Sequence, residues 1–105
     1  MREGKDMEIA LMLDFYEELL TEKQSDVMRK YYDEDYSLAE LANELGISKQ
    51  AVQFSLKQAE RKLEYFEEKL KLIKRFNISQ KLIEAYEKGN DMGPLVELLR
   101  ESWED

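Results

Sequence analysis

A chain of 105 residues, 43% of them apolar, can bury one modest core, and at this size pairing with a second copy would add stability. It has no cysteine and no histidine, which removes disulfides, thiolate metal sites, the commonest general base and the commonest metal ligand, so no cofactor is expected. The net charge of −8 opposes long-range attraction to nucleic acid, but it is uneven: residues 1–47 hold 5 basic and 13 acidic side chains, residues 48–75 hold 8 and 4, and residues 76–105 hold 3 and 7.

The punctuation of the chain predicts helices throughout. A first helix is expected from about Lys5 to Leu20, apolar on more than one side and therefore buried on more than one side. Thr21 to Gln24 has the pattern of a capping box, in which the Thr21 hydroxyl accepts from a free N–H and Gln24 reaches back. The second helix then runs to about Tyr32, with Val27, Met28, Tyr31 and Tyr32 turned inward. Asp33, Glu34 and Asp35 form a polar break, and Ser37 to Glu40 is a second capping box. A short third helix stops at Gly46, and Ser48 caps a long fourth.

In that fourth helix Val52, Leu56, Ala59, Leu63, Phe66, Leu70 and Ile73 recur at spacings of four and three, a heptad seam that requires a facing helix. Two partners suit it: this chain's own first and C-terminal helices, or a second copy meeting it at Leu63, Phe66, Leu70 and Ile73. Asn77, Ile78 and Ser79 are expected to end the helix and cap a fifth, which runs through Tyr86. Pro94 suits the first turn of a sixth. Trp103, close to the end of the chain, suggests a docked C-terminus. The domain expectation is a helix-turn-helix domain over residues 1–75 and a C-terminal appendage over residues 76–105 packed on the same core.

The segment from Leu38 to Lys57 carries the functional signal. Ala42 is small where two helices cross, and Gly46 supplies a positive-φ turn. Ile47 and Val52 are expected to fill the angle between the helices, with Leu41, Leu45 and Leu56 completing the small core. This is the packing pattern of a helix-turn-helix, whose second helix presents its outward residues to the major groove. Those residues are Ser48, Lys49, Gln50, Gln53, Phe54 and Lys57, with Arg61 and Lys62 extending the positive face. Ser48 and the helix N-terminus suit phosphate, the glutamines suit base edges, and the lysines suit phosphates or guanine. Phe54 has two uses, stacking on a base or packing on a neighbouring helix.

Other functions find no support in the residues. Asp33 to Asp35 lacks the spacing and glycine of a calcium loop. No phosphate-binding glycine loop, nucleophile elbow or metal cluster is present, which argues against an enzyme. No apolar run approaches the ~20 residues of a membrane span. The first six residues lack the pattern of a secretion signal, so the expected location is the cytoplasm.

Two resemblances rest on these residues. The stretch from Leu20 to Gln24 through Ser37 to Ala42 and Leu45 to Ser48, as far as Leu63, is similar to region four of bacterial sigma factors. A larger share of the chain resembles the YlxM-like family: Leu13 to Tyr16, Leu19 to Gln24, Tyr31 and Tyr32, Asp35 to Leu38, and Gly46 to Val52. Ala59, Glu60, Leu63, Glu64, Tyr65, Glu67, Lys69 and Leu70 also fit. The chain departs from that family's pattern at Gln53 to Leu56. The resemblance implies an all-α, sigma region-four-like helix-turn-helix protein with a long recognition-helix extension and C-terminal helices, acting as a homodimer. It also implies a DNA-binding regulator linked to the signal recognition particle pathway. The alternative it leaves open is an accessory protein that binds the particle's RNA or its GTPase without specific DNA binding.

Overall fold

The computed structural model describes residues 5–104. They form six α-helices and one 3-10 turn, with no strand among the described residues. The chain divides into two compact units, one ending at Glu68 and the other beginning at Lys69.

In the first unit, α1 (Lys5–Tyr16) buries Ile9, Met12, Leu13 and Tyr16, one stripe at helical spacing. Met7 and Leu11 remain exposed, so α1 is not buried on several sides as its composition predicts. It also stops four residues short of the expected Leu20. A 3-10 turn, Glu17–Leu19, tightens the exit, and the Leu20 N–H donates to the Glu17 carbonyl at 3.0 Å. Leu20 is extended, which delivers Thr21 to the start of the next helix.

α2 (Glu22–Tyr32) opens on the expected reciprocal cap. The Gln24 N–H donates to Thr21 Oγ1 and the Thr21 N–H to Gln24 Oε1, both at 3.1 Å. Val27, Met28 and Tyr32 are buried, and Tyr31 sits edge-on to Tyr32 at 5.0 Å between ring centres. α3 (Leu38–Leu45) repeats the arrangement with Ser37 and Glu40, both bonds at 3.0 Å. It ends on Gly46 at φ +69°, where the Gly46 and Ile47 N–H groups both donate to the Ala42 carbonyl. Burying side chains such as Leu13, Met28, Leu41, Val52 and Leu63 completely contributes about 1.5–3 kcal/mol each.

α4 (Lys49–Leu70) is the long fourth helix. Val52, Leu56, Ala59 and Leu63 are buried, Phe66 is half-buried beside the Tyr16 ring, and the Tyr16 hydroxyl donates to Glu67 Oε1 at 2.5 Å. Around this core Arg29 joins Asp14 and Glu17 to Asp33, and Lys30 bridges Asp26 to Glu44 on α3.

The heptad seam does not continue through Ile73 on one helix. α4 ends at Leu70, Lys71 is left-handed at φ +55°, and α5 (Leu72–Lys88) begins at once. Arg75 Nη1 donates to the Leu70 carbonyl at 3.0 Å, satisfying a helix-end acceptor where the backbone turns away. Leu63 is fully buried on α4, and Ile73 lies on α5 rather than on the same helix.

In the second unit, α5 absorbs the Asn77–Ile78–Ser79 stretch instead of starting there. It ends on Gly89 at φ +70°, and Asp91 Oδ1 accepts from the Gly93 N–H at 3.0 Å ahead of α6 (Gly93–Ser102), which carries Pro94 in its first turn. Arg75 ties the hairpin together. Its Nε and Nη2 donate to the Ser102 carbonyl at 3.1 and 2.6 Å. Trp103 is 65% exposed rather than docked, and the Arg75 guanidinium stacks 3.6 Å from its ring centre.

Candidate nucleic-acid interface

The site is built by the N-terminal half of α4. Ser48 precedes the helix, and its Oγ accepts from the Ala51 N–H at 3.1 Å, which leaves earlier N–H groups of the first turn pointing outward. A helix advances about 100° per residue. On that wheel Val52, Leu56, Ala59 and Leu63 fall within about 60° of arc, and all four are buried. Lys49, Gln50, Gln53, Phe54, Lys57 and Arg61 fall within about 140° on a separate arc, and all six are exposed. Ser48 is exposed as well. The same periodicity that sinks one face of α4 into the core therefore turns the whole candidate set toward solvent.

Electrostatics separates these cations from others in the chain. Arg29 and Lys30 are occupied by carboxylates that hold both well above their ordinary values. The Glu17 hydrogen bond is the leading cause for Arg29, and the Glu44 hydrogen bond for Lys30. Lys88 pairs with Glu84, and Arg100 with Glu97. Lys49, Lys57 and Arg61 form no ion pair or hydrogen bond among the described residues. They stand without an ion-pair partner on one helix face among the described residues.

Several candidates sit differently from the expectation. Lys62 leaves the positive face: it lies toward α2, where its Nζ donates to Gln24 Oε1 at 3.1 Å. Ile47 is 42% exposed and Leu45 half-buried, so Val52, with Leu41 and Ala42, closes the angle between α3 and α4 largely without Ile47. Phe54 is 64% exposed. Two residues missing from the sequence-based set, Glu60 and Glu64, fall on the same arc as Lys57 and Arg61. Projecting the sequence on a 100° wheel would have shown them. Burial first, and then the Glu60 carboxylate, push the Tyr32 hydroxyl well above its usual range, which places Glu60 against α2. The face is thus basic over its first turns and mixed beyond them.

Among the described residues, no group of histidine, cysteine and carboxylate side chains can hold a metal ion. No helix there is long and apolar enough to cross a membrane. The arrangement offers a helix N-terminus, amides, free cations and one bare aromatic ring, which are groups for recognition.

Comparison with known proteins agrees with this geometry. A family model described as "Putative helix-turn-helix protein, YlxM / p13 like" matches residues 4–96. A UPF0122 protein of Bacillus licheniformis is 44% identical over 93 residues, covering 89% of this chain and 87% of that protein. One from Thermoanaerobacter sp. is 42% identical over 97 residues, covering 92% of this chain and 78% of that protein. One from Streptococcus pneumoniae is 41% identical over 92 residues, covering 84% of each. With the helix-turn-helix built by α3 and α4 and a match across nearly its whole length, the chain belongs to the UPF0122 family of YlxM/p13-like helix-turn-helix proteins.

Proposed function

We propose that this protein is a DNA-binding regulator that lays the first turns of α4 in the major groove of duplex DNA. The observation that carries the reading is the set of unpaired cations, amides and Phe54 gathered on one exposed arc of the second helix of a helix-turn-helix. Lys49, Lys57 and Arg61 contact phosphate or guanine, Gln50 and Gln53 read base edges, and Ser48 with the helix N-terminus receives a phosphate. Glu60 and Glu64 limit the footprint by repelling backbone phosphates beyond the third turn. The protein works as a cytoplasmic homodimer, binds without a cofactor and catalyses nothing. The family resemblance supports a place for this activity in the signal recognition particle pathway.

A fluorescence-anisotropy titration against mixed-sequence duplex DNA and against a bacterial signal recognition particle RNA, across a range of salt, tests the reading. Three free cations per copy predict that log affinity for duplex falls against log salt with a slope of about −3 per copy. Lys49→Ala with Lys57→Ala should bring that slope to about −1, and Lys49→Glu with Lys57→Glu should abolish binding with helicity unchanged. Duplex binding that ignores both pairs of substitutions would refute the assignment of this face. Preference for the RNA, or no nucleic-acid binding, would favour the accessory role and make the particle's GTPase the partner to test.

A further inference from the structure

The α5–α6 hairpin carries an apolar face that its own two helices do not use. On α5, Leu72, Phe76, Ser79, Ile83 and Tyr86 recur at spacings of four, three, four and three, within about 80° of arc. This stripe lies about 130° round the helix from the buried Ile78 and Ala85. On α6 and its two caps, Met92, Val96, Leu99 and Trp103 repeat the same spacing, about 90° round from the buried Ser102. The helices run antiparallel, so these two rotations bring both stripes to one side of the hairpin. Arg75, stacked on Trp103, bridges them there. Leu72, Phe76, Ile83, Tyr86, Val96 and Trp103 are 39–72% exposed.

We infer that this face is a homodimer interface, in which two hairpins stack face to face with α5 antiparallel to α5 and α6 antiparallel to α6. Both stripes are self-complementary when reversed. On α5, Leu72 meets Tyr86 of the second copy, Phe76 meets Ile83, and Ser79 lies at the centre. On α6, Val96 meets Leu99 and Met92 meets Trp103 about a centre between Glu97 and Leu98. One two-fold axis can serve both pairs only if the two centres lie level along the hairpin, and they do. The Arg75–Ser102 contact sets the register. Four residues forward from Arg75 is Ser79, and four back from Ser102 is Leu98, so the centres agree to within about one residue, or ~1.5 Å.

The charges and the area agree with this pairing. Beside the α5 seam, Arg75 faces Leu82 of the second copy and Glu87 faces Ile73, so no like charges oppose. The exposed stripe of α1 fails the same test, because reversing it about Leu11 sets Glu8 against Asp14. At about 200 Å² per side chain, the exposed fractions yield roughly 600 Å² of apolar surface per copy and about 1,200 Å² per pair, the lower bound for a stable dimer. This inference stands whether or not α4 binds DNA.

Sedimentation equilibrium of the full chain at micromolar concentration should give twice the 12.5 kDa chain mass. Ile83→Asp with Tyr86→Asp, both at exposed positions, should return it to one chain mass. Because the native chain has no cysteine, Ser79→Cys supplies the only thiol. It should form a covalent dimer on mild oxidation, whereas Tyr86→Cys should not, since the two copies of that position lie at opposite ends of the seam. A wild-type monomer overturns the inference. So does a dimer that survives the double aspartate variant, or one that crosslinks through Tyr86→Cys and not through Ser79→Cys.

Discussion

At the scale of single residues, two positions hold the first unit by different physics. Gly46 sits at φ +69° with open space where a Cβ would stand, so the objection to a side chain there is backbone strain and not collision. Gly46→Ala should cost about 1–2 kcal/mol, read as a lower urea midpoint with an unchanged slope. Glu17 is held at about 2 by the Arg29 guanidinium first and the Ser25 hydroxyl second, against an ordinary value of 4.5. A depressed value in the folded state means that this pairing stabilises the fold fully above pH 4.5 and is lost as pH falls from there toward about 2. The carboxylate is partly exposed, so solvent screening limits the contribution to about 1 kcal/mol or less. Urea unfolding of Glu17→Gln beside the native chain should show a gap at pH 7 that narrows below pH 4.5 and closes near pH 2. A constant gap would assign the loss to some other cause. The Arg29 cluster itself was not legible in the sequence, since Asp14, Glu17 and Asp33 reach Arg29 only after α1 and α2 have packed.

At the scale of elements, the starts of α2, α3, α4 and α6 were legible, whereas the ends of α1 and α4 and the start of α5 were not. Thr21, Ser37, Ser48, Gly46 and Pro94 act on backbone groups within four residues of themselves, so their effect is written in local order. Ser37→Ala removes one of these caps and should cost about 1 kcal/mol in thermal or urea unfolding, because α3 has only eight residues over which to share the loss. The break at Lys71 has no such signature. Glu67 to Leu72 contains no glycine, proline, asparagine or aspartate, and the heptad spacing runs straight across it. What accompanies the end of α4 is the Arg75 side chain reaching back to the Leu70 carbonyl, a contact made on folding and so not written in local order. That misplacement hid the second seam, because Ile73 was credited to α4 and Asn77 to Ser79 were read as a cap instead of the middle of α5. The exposed arc of α4 was legible for the opposite reason: it is the complement of the buried stripe, and one periodicity fixes both. Only Lys62 was assigned to the wrong side, a residue one position past Arg61 and therefore about 100° away from it.

At the scale of the whole molecule, the two units differ in how much they bury. The first encloses Ile9, Leu13, Tyr16, Met28, Leu41, Val52 and Leu63 almost completely, whereas in the second only Ile78, Ala85 and Ser102 are buried among the described residues. A two-helix hairpin with so few buried side chains is below the size that sustains a core alone. Amide exchange should therefore be fast in α5 and α6 and slow in α2 to α4, with protection of the hairpin rising with protein concentration and that of α2 to α4 unchanged. Concentration-independent protection throughout would mean that the hairpin is held by its own chain. The thinness of the hairpin also bears on dosage. A segment that is ordered only when a second copy is at hand opens as the protein becomes scarce, and an open helix is what proteases cut. The abundance of the chain would then set its own lifetime, with a floor below which each molecule is cleared faster than it can find a mate.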